Sequence, residues 1–229
     1  MDYGLAPCIQ EAIDNACDHC KLGYIPEPWK QRVAAACAGW QRSHYGWDVD
    51  PSIIRVVPDV LEAYEIFLRE LVGAGNSVIV PTPAYMPFLS VPKLYDVDVI
   101  EIEMLQSGDA ETGEAQWVFD FDAIERAFAA GCHAFVLCNP HNPIGKVLTL
   151  EEELRLSDLA AQYDVRIFND EIHAPFVFEG KHIPFPTISE QAALQSMTAT
   201  SASKSFNIPG TKCAQVLLTN PADRDMWAV

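Results

Sequence analysis

Positive charge is what this chain has least of. Its 15 lysines and arginines face 32 aspartates and glutamates, for a formal net charge of −17. With no basic field to neutralise phosphates, a nucleic-acid or anionic-membrane partner is excluded. The acidic residues are spread along the chain rather than gathered in a tail, so the imbalance serves solubility. Long hydrophobic runs are missing as well. No stretch reaches the length of a membrane span, and the N-terminus MDYGLAPCIQEA lacks the charged-then-apolar order of a signal peptide. There is no internal repeat or low-complexity tract. The 7 cysteines form no regular frame, which suits a reducing, cytoplasmic setting. The CxxC at Cys17–Cys20 has no second pair at matching spacing, only the isolated Cys37, and reads as two cysteines on an ordinary helix rather than a zinc site.

What is present is apolar material in short, patterned pieces: 49% of 229 residues are hydrophobic, ample for a sizeable core. Residues 7–21 and 28–44 carry helical spacing on either side of the breaker GYIPEP. From residue 53 onward short β-branched runs alternate with longer amphipathic ones. The spacing predicts strands at Ile53–Val57, Ser77–Val80, Val97–Ile102, His133–Cys138, Val165–Asn169 and Met197–Thr200. Helices are predicted near 59–72, 84–93, 120–130 and 150–163, the last opened by a capping box, Thr149 with Glu152. AFVLC and VRIF are apolar on both faces, as parallel strands covered by helices on each side should be. The pattern is that of an α/β, doubly wound fold.

In such sheets ligands bind beyond the C-terminal strand ends, and three polar clusters fall there: Asn139–Gly145, Asp170–His173 and Ser201–Lys204. Lys204 lies among small hydroxyl residues; held against a covered sheet edge, its amine would lose solvation and become a nucleophile able to join a carbonyl. The alternative is a lysine in a surface loop. Asp170, after an apolar strand, is costly to bury without a cationic partner, such as a protonated ring nitrogen. Asp170 with Glu171 could instead hold a metal, although adjacent side chains seldom face one ion. His173 is either a satisfied core histidine or a hydrogen-bonding group. Asn142 presents an amide at a strand end, unless the asparagines of NPHNPIG only satisfy their own backbone. Tyr85 in PTPAYMPF is an aromatic face for a flat ring, or ordinary core. Ser201–Lys204 is formally an SxxK, but Pro209-Gly210 would cut short the helix that motif needs, and no SDN or KTG follows.

Taken in order, NPHNPIG, NDEIHA (Asn169–Ala174) and SASKSFNIPGTK (Ser201–Lys212) resemble the fold-type-I pyridoxal-phosphate enzymes, the class I and II aminotransferase superfamily. DEIH and the histidine within NPHNP resemble its cystathionine β-lyase, or C–S lyase, branch. The resemblance implies a three-layer, aspartate-aminotransferase-like large domain with a mainly parallel sheet over residues 45–229. Residues 1–44 would be an N-terminal helical piece of a small domain and interface. It implies pyridoxal 5'-phosphate as cofactor, a small amino-acid substrate and a homodimer with a shared site. Lys204 would hold the cofactor's aldehyde carbon and then carry the proton at the substrate Cα. Asp170 would pair with the pyridine nitrogen, Asn142 and His173 would lie near the phenolic oxygen, and Tyr85 would stack on the ring. Ser201, Ser203 and Lys212 would hold the phosphate, Lys212 standing where many relatives have arginine. Tyr24 would reach the phosphate of the partner subunit.

Two departures stand out. Where the family's phosphate cradle usually has a small residue or glycine, this chain reads Val57-Pro58-Asp59-Val60. Asp59 and Val60 would then contribute backbone N–H groups at a helix start, provided the Asp59 carboxylate turns away to cap the helix. Family members also carry a C-terminal small domain with the arginine for the substrate carboxylate. Here NPADRDMWAV begins a helix that leaves Met226, Trp227 and Val229 without an evident partner, so the sequence reads as a fragment. The activity implied is β-elimination from a sulfur amino acid to a thiol, ammonia and a 2-oxo acid. The alternatives are an aminotransferase, or a truncated chain without catalysis.

Overall fold

The computed structural model describes residues 4–19, 23–108 and 116–227. The predicted strands pair into one sheet. These are β1 (Ile54–Val57), β2 (Ser77–Thr82), β3 (Asp98–Glu103), β6 (Ala134–Cys138), β7 (Arg166–Asp170) and β8 (Ser196–Thr200), with β9 (Ala214–Leu217) joining them. The order is β1-β9-β8-β7-β6-β2-β3. Neighbours from β8 to β3 run parallel, whereas β9 is antiparallel to both β1 and β8. Every residue of β6 is buried, because both faces are covered. A separate hairpin, β4 (Leu105–Ser107) with β5 (Gln116–Val118), lies outside the sheet. The sequence pattern did not predict β4, β5 or β9.

Helices cover both faces, giving three layers. On one side α3 (Val60–Phe67) and α4 (Met86–Ser90) bury Tyr64, Phe67 and Phe88 against Phe168 of β7. On the other, α5 (Phe121–Ala129), α6 (Leu150–Gln162) and the short, unpredicted α7 (Glu190–Gln195) bury Ile124, Phe128, Leu156 and Ala192 against Ile79, Phe135 and Ile167. The capping box of α6 forms as predicted: Glu152 N–H donates to the Thr149 hydroxyl, and Thr149 N–H donates to the Glu152 carboxylate. A small third cluster joins Ala34 and Ala38 of α2 (Glu27–Tyr45) to Ile54 and Leu217 at the sheet edge. Gly46 ends α2 in a left-handed conformation (φ 74°), returning its N–H to Arg42 C=O. Within α1 (Pro7–Asp18) no residue is buried.

The structure redraws several predicted elements. The helix expected over 59–72 is α-helical only to Phe67, and Leu68–Val72 continues as a wider turn. The one expected over 84–93 stops at Ser90, with Pro92 opening a separate tight turn. Cys17 is exposed on α1, while Cys20 lies outside the described residues. The C-terminal segment forms α8 (Pro221–Trp227), and Trp227 does have a partner, packing against the α3-side core. Asp223, in the first turn of α8, is buried and paired with Arg166 at 2.6 Å. Val229 lies outside the described residues.

Candidate active site

The parallel strands bring their C-terminal ends to one edge, where a cavity of about 190 Å³ opens. Its walls include Asp59, Val60, Tyr85, Asn142, Asp170, His173, Ser201, Ser203, Lys204 and Lys212. All the expected site residues but one thus meet in one place. The exception is Tyr24: fully exposed on the link between α1 and α2, it lines a different groove, with Trp29 and Val56.

Asp170 is the last residue of β7, opposite Cys138 of β6 and Ala199 of β8. Its carboxylate accepts the Ile172 N–H at 3.0 Å and is 5% exposed. Burial pushes it up to about 7; the Ile172 N–H and Lys204 oppose the rise and Glu171 adds to it. An aspartate held on that edge is ready to ionise once a cation sits against it. Burial, and then the positive charge of Lys204, pushes His173 down, favouring the neutral imidazole.

Lys204 sits in a compact turn after β8, closed by Phe206 N–H to Ala202 C=O and Ile208 N–H to Ser203 C=O, both 3.0 Å. Of the two settings open to this lysine, the structure shows the surface one. The lysine is exposed rather than pressed against a covered edge, and lies in the turn beyond β8 on the cavity wall. The same turn disposes of the SxxK reading, since no helix starts at Ser201. The Ser201 hydroxyl donates to Cys213 C=O at 2.8 Å and accepts the Ser203 N–H at 3.0 Å, so in this form it ties the lysine turn to the approach to β9.

The N-terminal end of α3 forms the other wall. Asp59 caps it as expected, Oδ1 accepting the Glu62 N–H at 2.9 Å, but the carboxylate does not turn away from the cavity. Its Oδ2 meets Lys212 Nζ at 2.6 Å. Burial works against the Asp59 charge, but the Lys212 and Glu62 hydrogen bonds outweigh it and hold the carboxyl below its usual range. Lys212 has a left-handed backbone (φ 49°), an uncommon conformation for a residue with a side chain.

The two asparagines of NPHNPIG have different surroundings, and neither is shown bonding only to its own loop. Asn142 lines the cavity. Asn139 is buried, its amide donating to Glu153 Oε1 at 2.6 Å while its oxygen accepts the Leu148 N–H. His141 is 2.9 Å from Pro83 C=O and ties this loop to the end of β2. Glu171 points away from the cavity into a buried polar group behind it. It accepts from Asn169 Nδ2 at 2.8 Å and from the Phe185 N–H at 2.9 Å, and His182 Nε2 lies 3.2 Å off. Among the described residues no group of three or more His, Cys, Asp or Glu is placed to hold a metal ion. Sequence reasoning missed the lining residues Phe88, Cys138 and Ile172, which carry no motif signal beyond hydrophobicity.

Layers, sheet order and an edge-of-sheet cavity with a lysine and a buried aspartate define a fold of the aspartate aminotransferase type. A Thermus thermophilus aspartate aminotransferase double mutant superposes with a TM-score of 0.81 at 25% identity, over 94% of this chain and 54% of that one. The chain belongs to the aminotransferase class I and II family, whose model matches residues 8–226. It is 36% identical to a cystathionine beta-lyase of Corynebacterium glutamicum over 99% of this chain and 58% of that protein. Identity to the cystathionine beta-lyase PatB of Bacillus subtilis is 30%, over 98% of this chain and 56% of the relative. The structure of cystalysin from Treponema denticola, which contains pyridoxal 5'-phosphate, matches with a TM-score of 0.89 at 28% identity, over 98% and 56% of the two chains. The chain therefore spans somewhat over half the length of the relatives it matches. No helix among the described residues is long and apolar enough to cross a membrane.

Proposed function

We propose that this chain carries the cofactor site of a pyridoxal-phosphate-dependent C–S lyase. The enzyme would break the Cβ–S bond of a sulfur amino acid, releasing a thiol and, after hydrolysis, a 2-oxo acid and ammonia. The observation that carries the proposal is the convergence of the Lys204 amine and the buried Asp170 carboxyl on one cavity from adjacent strand ends. The donor set fits the cofactor: an amine for the aldehyde, an acid for the ring nitrogen, and an aromatic face at Tyr85. A cation at Lys212 and the N-terminal end of α3 serve the phosphate. When bound, the cofactor supplies a ring that accepts the electron pair left at the substrate Cα.

The remaining roles fall to this chain's own side chains. Lys204 holds the cofactor covalently and then takes the proton from Cα. Asp170 keeps the ring nitrogen protonated, which its raised pKa and adjacent burial make a matched pairing. Asn142 and neutral His173 hydrogen-bond the phenolic oxygen, and Tyr85 covers the ring. Lys212, Ser203, Ser201 and the N–H groups of Asp59 and Val60 orient the phosphate. For Ser201 this requires giving up one of its two present hydrogen bonds.

In the whole protein Tyr24 reaches the phosphate of a partner subunit in a homodimer; its full exposure supports that role. Residues 1–44 contribute to a second domain and residues 45–229 form the cofactor domain, a division that the unburied α1 supports. The location is cytoplasmic, consistent with the free cysteines at Cys8, Cys17, Cys37, Cys132, Cys138 and Cys213.

Two readings compete. An aminotransferase uses the same residues; the names of the relatives at 36% and 30% identity favour the lyase. A chain that binds cofactor without turnover is the other. Borohydride reduction after incubation with pyridoxal phosphate should label Lys204, and a label elsewhere sinks the site. Cystathionine supplied without a 2-oxo acid should yield thiol and pyruvate; activity only with an added 2-oxo acid makes the protein a transferase.

A further inference from the structure

Of the two lysines on the cavity, one already has an anion. Lys212 Nζ and Asp59 Oδ2 are 2.6 Å apart. Asp59 is fixed there from a second direction by its capping bond to the Glu62 N–H. Any anion drawn to Lys212 and the start of α3 meets this carboxylate first, and must replace it on the lysine and then tolerate it nearby.

We propose that Asp59 is an internal competitor for the anion site: its carboxylate holds Lys212 when no anion is bound, and so sets how strongly the chain prefers a phosphorylated ring ligand over its unphosphorylated counterpart. The inference rests on the cofactor reading above and goes beyond it, since there Asp59 contributed only its backbone N–H. The side chains of the pair are 65% and 38% exposed, so the ion pair itself is weak and readily exchanged. The larger effect is repulsion between a retained carboxylate and a phosphate dianion within one Debye length. Together they lower the affinity for the phosphorylated ligand by about fivefold to thirtyfold.

Asp59→Asn isolates the charge, because asparagine caps a helix as well as aspartate does. Wild type and D59N are titrated with pyridoxal phosphate and with pyridoxal, following the absorbance of the link to Lys204, and each is melted over a series of inorganic phosphate concentrations. D59N should bind pyridoxal phosphate about fivefold to thirtyfold more tightly and pyridoxal within about twofold of wild type. Its melting temperature should also climb more steeply with phosphate. Equal or weaker binding of pyridoxal phosphate by D59N, with the link still formed in both proteins, overturns the competitor role and leaves the cofactor reading standing. Equal tightening toward pyridoxal overturns it too, since the effect then has nothing to do with phosphate. Absence of any link to Lys204 in either protein overturns the cofactor reading and this inference with it.

Discussion

Asp170→Asn separates the charge at the end of β7 from its shape. The asparagine oxygen can keep the 3.0 Å bond from the Ile172 N–H, while the ionisable group disappears from a position that is 5% exposed. In the unfolded chain this carboxyl ionises near 3.8, and burial in the folded chain pushes it up to about 7. Between those values the folded chain binds more protons than the unfolded one, so stability falls as pH rises through that window and is level above it. Each tenfold change in proton affinity is worth about 1.36 kcal/mol. The whole effect is then about 4 kcal/mol, of which roughly 3 kcal/mol is lost between pH 5 and pH 8.5.

Urea unfolding of the cofactor-free wild type and D170N at those two pH values, followed by tryptophan fluorescence, measures it. Other buried carboxyls titrate in both proteins, so the change in their difference belongs to position 170. D170N should gain roughly 3 kcal/mol on the wild type over the interval. A difference constant to within about 0.5 kcal/mol would refute the argument that the fold strains an ionised Asp170. The outcome bears on function directly: a site that penalises its own aspartate's charge is one in which a protonated ring nitrogen becomes the stabilising partner.

Glu153 behaves similarly on the opposite side of the sheet. Burial, and then Glu171, pushes it up to about 8 from 4.5, so Glu153→Gln should gain on the wild type, by on the order of 4 kcal/mol in the same urea series between pH 5 and pH 8.5. Phe168→Ala removes a buried ring 5.0 Å from that of Tyr64 and 5.6 Å from that of Phe67, and should cost about 3–5 kcal/mol of stability in urea unfolding. Thr149→Ala breaks the capping box of α6 and should cost about 1 kcal/mol in the same measurement. Asp223→Asn leaves Arg166 without its buried counter-charge and should cost about 3 kcal/mol, with a loss much smaller than this arguing that the pair is solvated.

The sequence made β6 and β7 visible because strands buried on both faces carry continuous apolar runs, here AFVLC and VRIF, and the polar residues that follow those runs then stand out as a site. It revealed the α6 cap because both halves of that contact lie three residues apart. It was silent on β9, a run of four residues whose partners, β1 and β8, are set by the topology of the whole sheet. For Lys204 it left a covered edge and a surface loop both open, since the turn that leaves the lysine exposed on the cavity wall takes shape only in the fold. Nor could it assign His141, or pair Glu153 with Asn139, because those partners lie 58 and 14 residues away and meet only through folding.

The antiparallel course of β9 explains how Lys212 reaches the site. Parallel strands deliver their C-terminal ends to the cavity edge, but an antiparallel strand delivers its N-terminal end. Lys212, two residues before β9, therefore arrives on the same cavity as Asp170 and Lys204, whereas a parallel β9 would have carried it to the far side of the sheet. The register goes further. Val57 of β1 pairs with Ala214 of β9, so continuing the antiparallel count past the strand ends sets Asp59 opposite Lys212, 153 residues away in the chain. Their contact follows from the sheet pairing itself rather than from a chance meeting of surface side chains. For that reason the lysine cannot be offered to an anion on this scaffold without an aspartate at its side, and changing residue 59 is the direct way to free it.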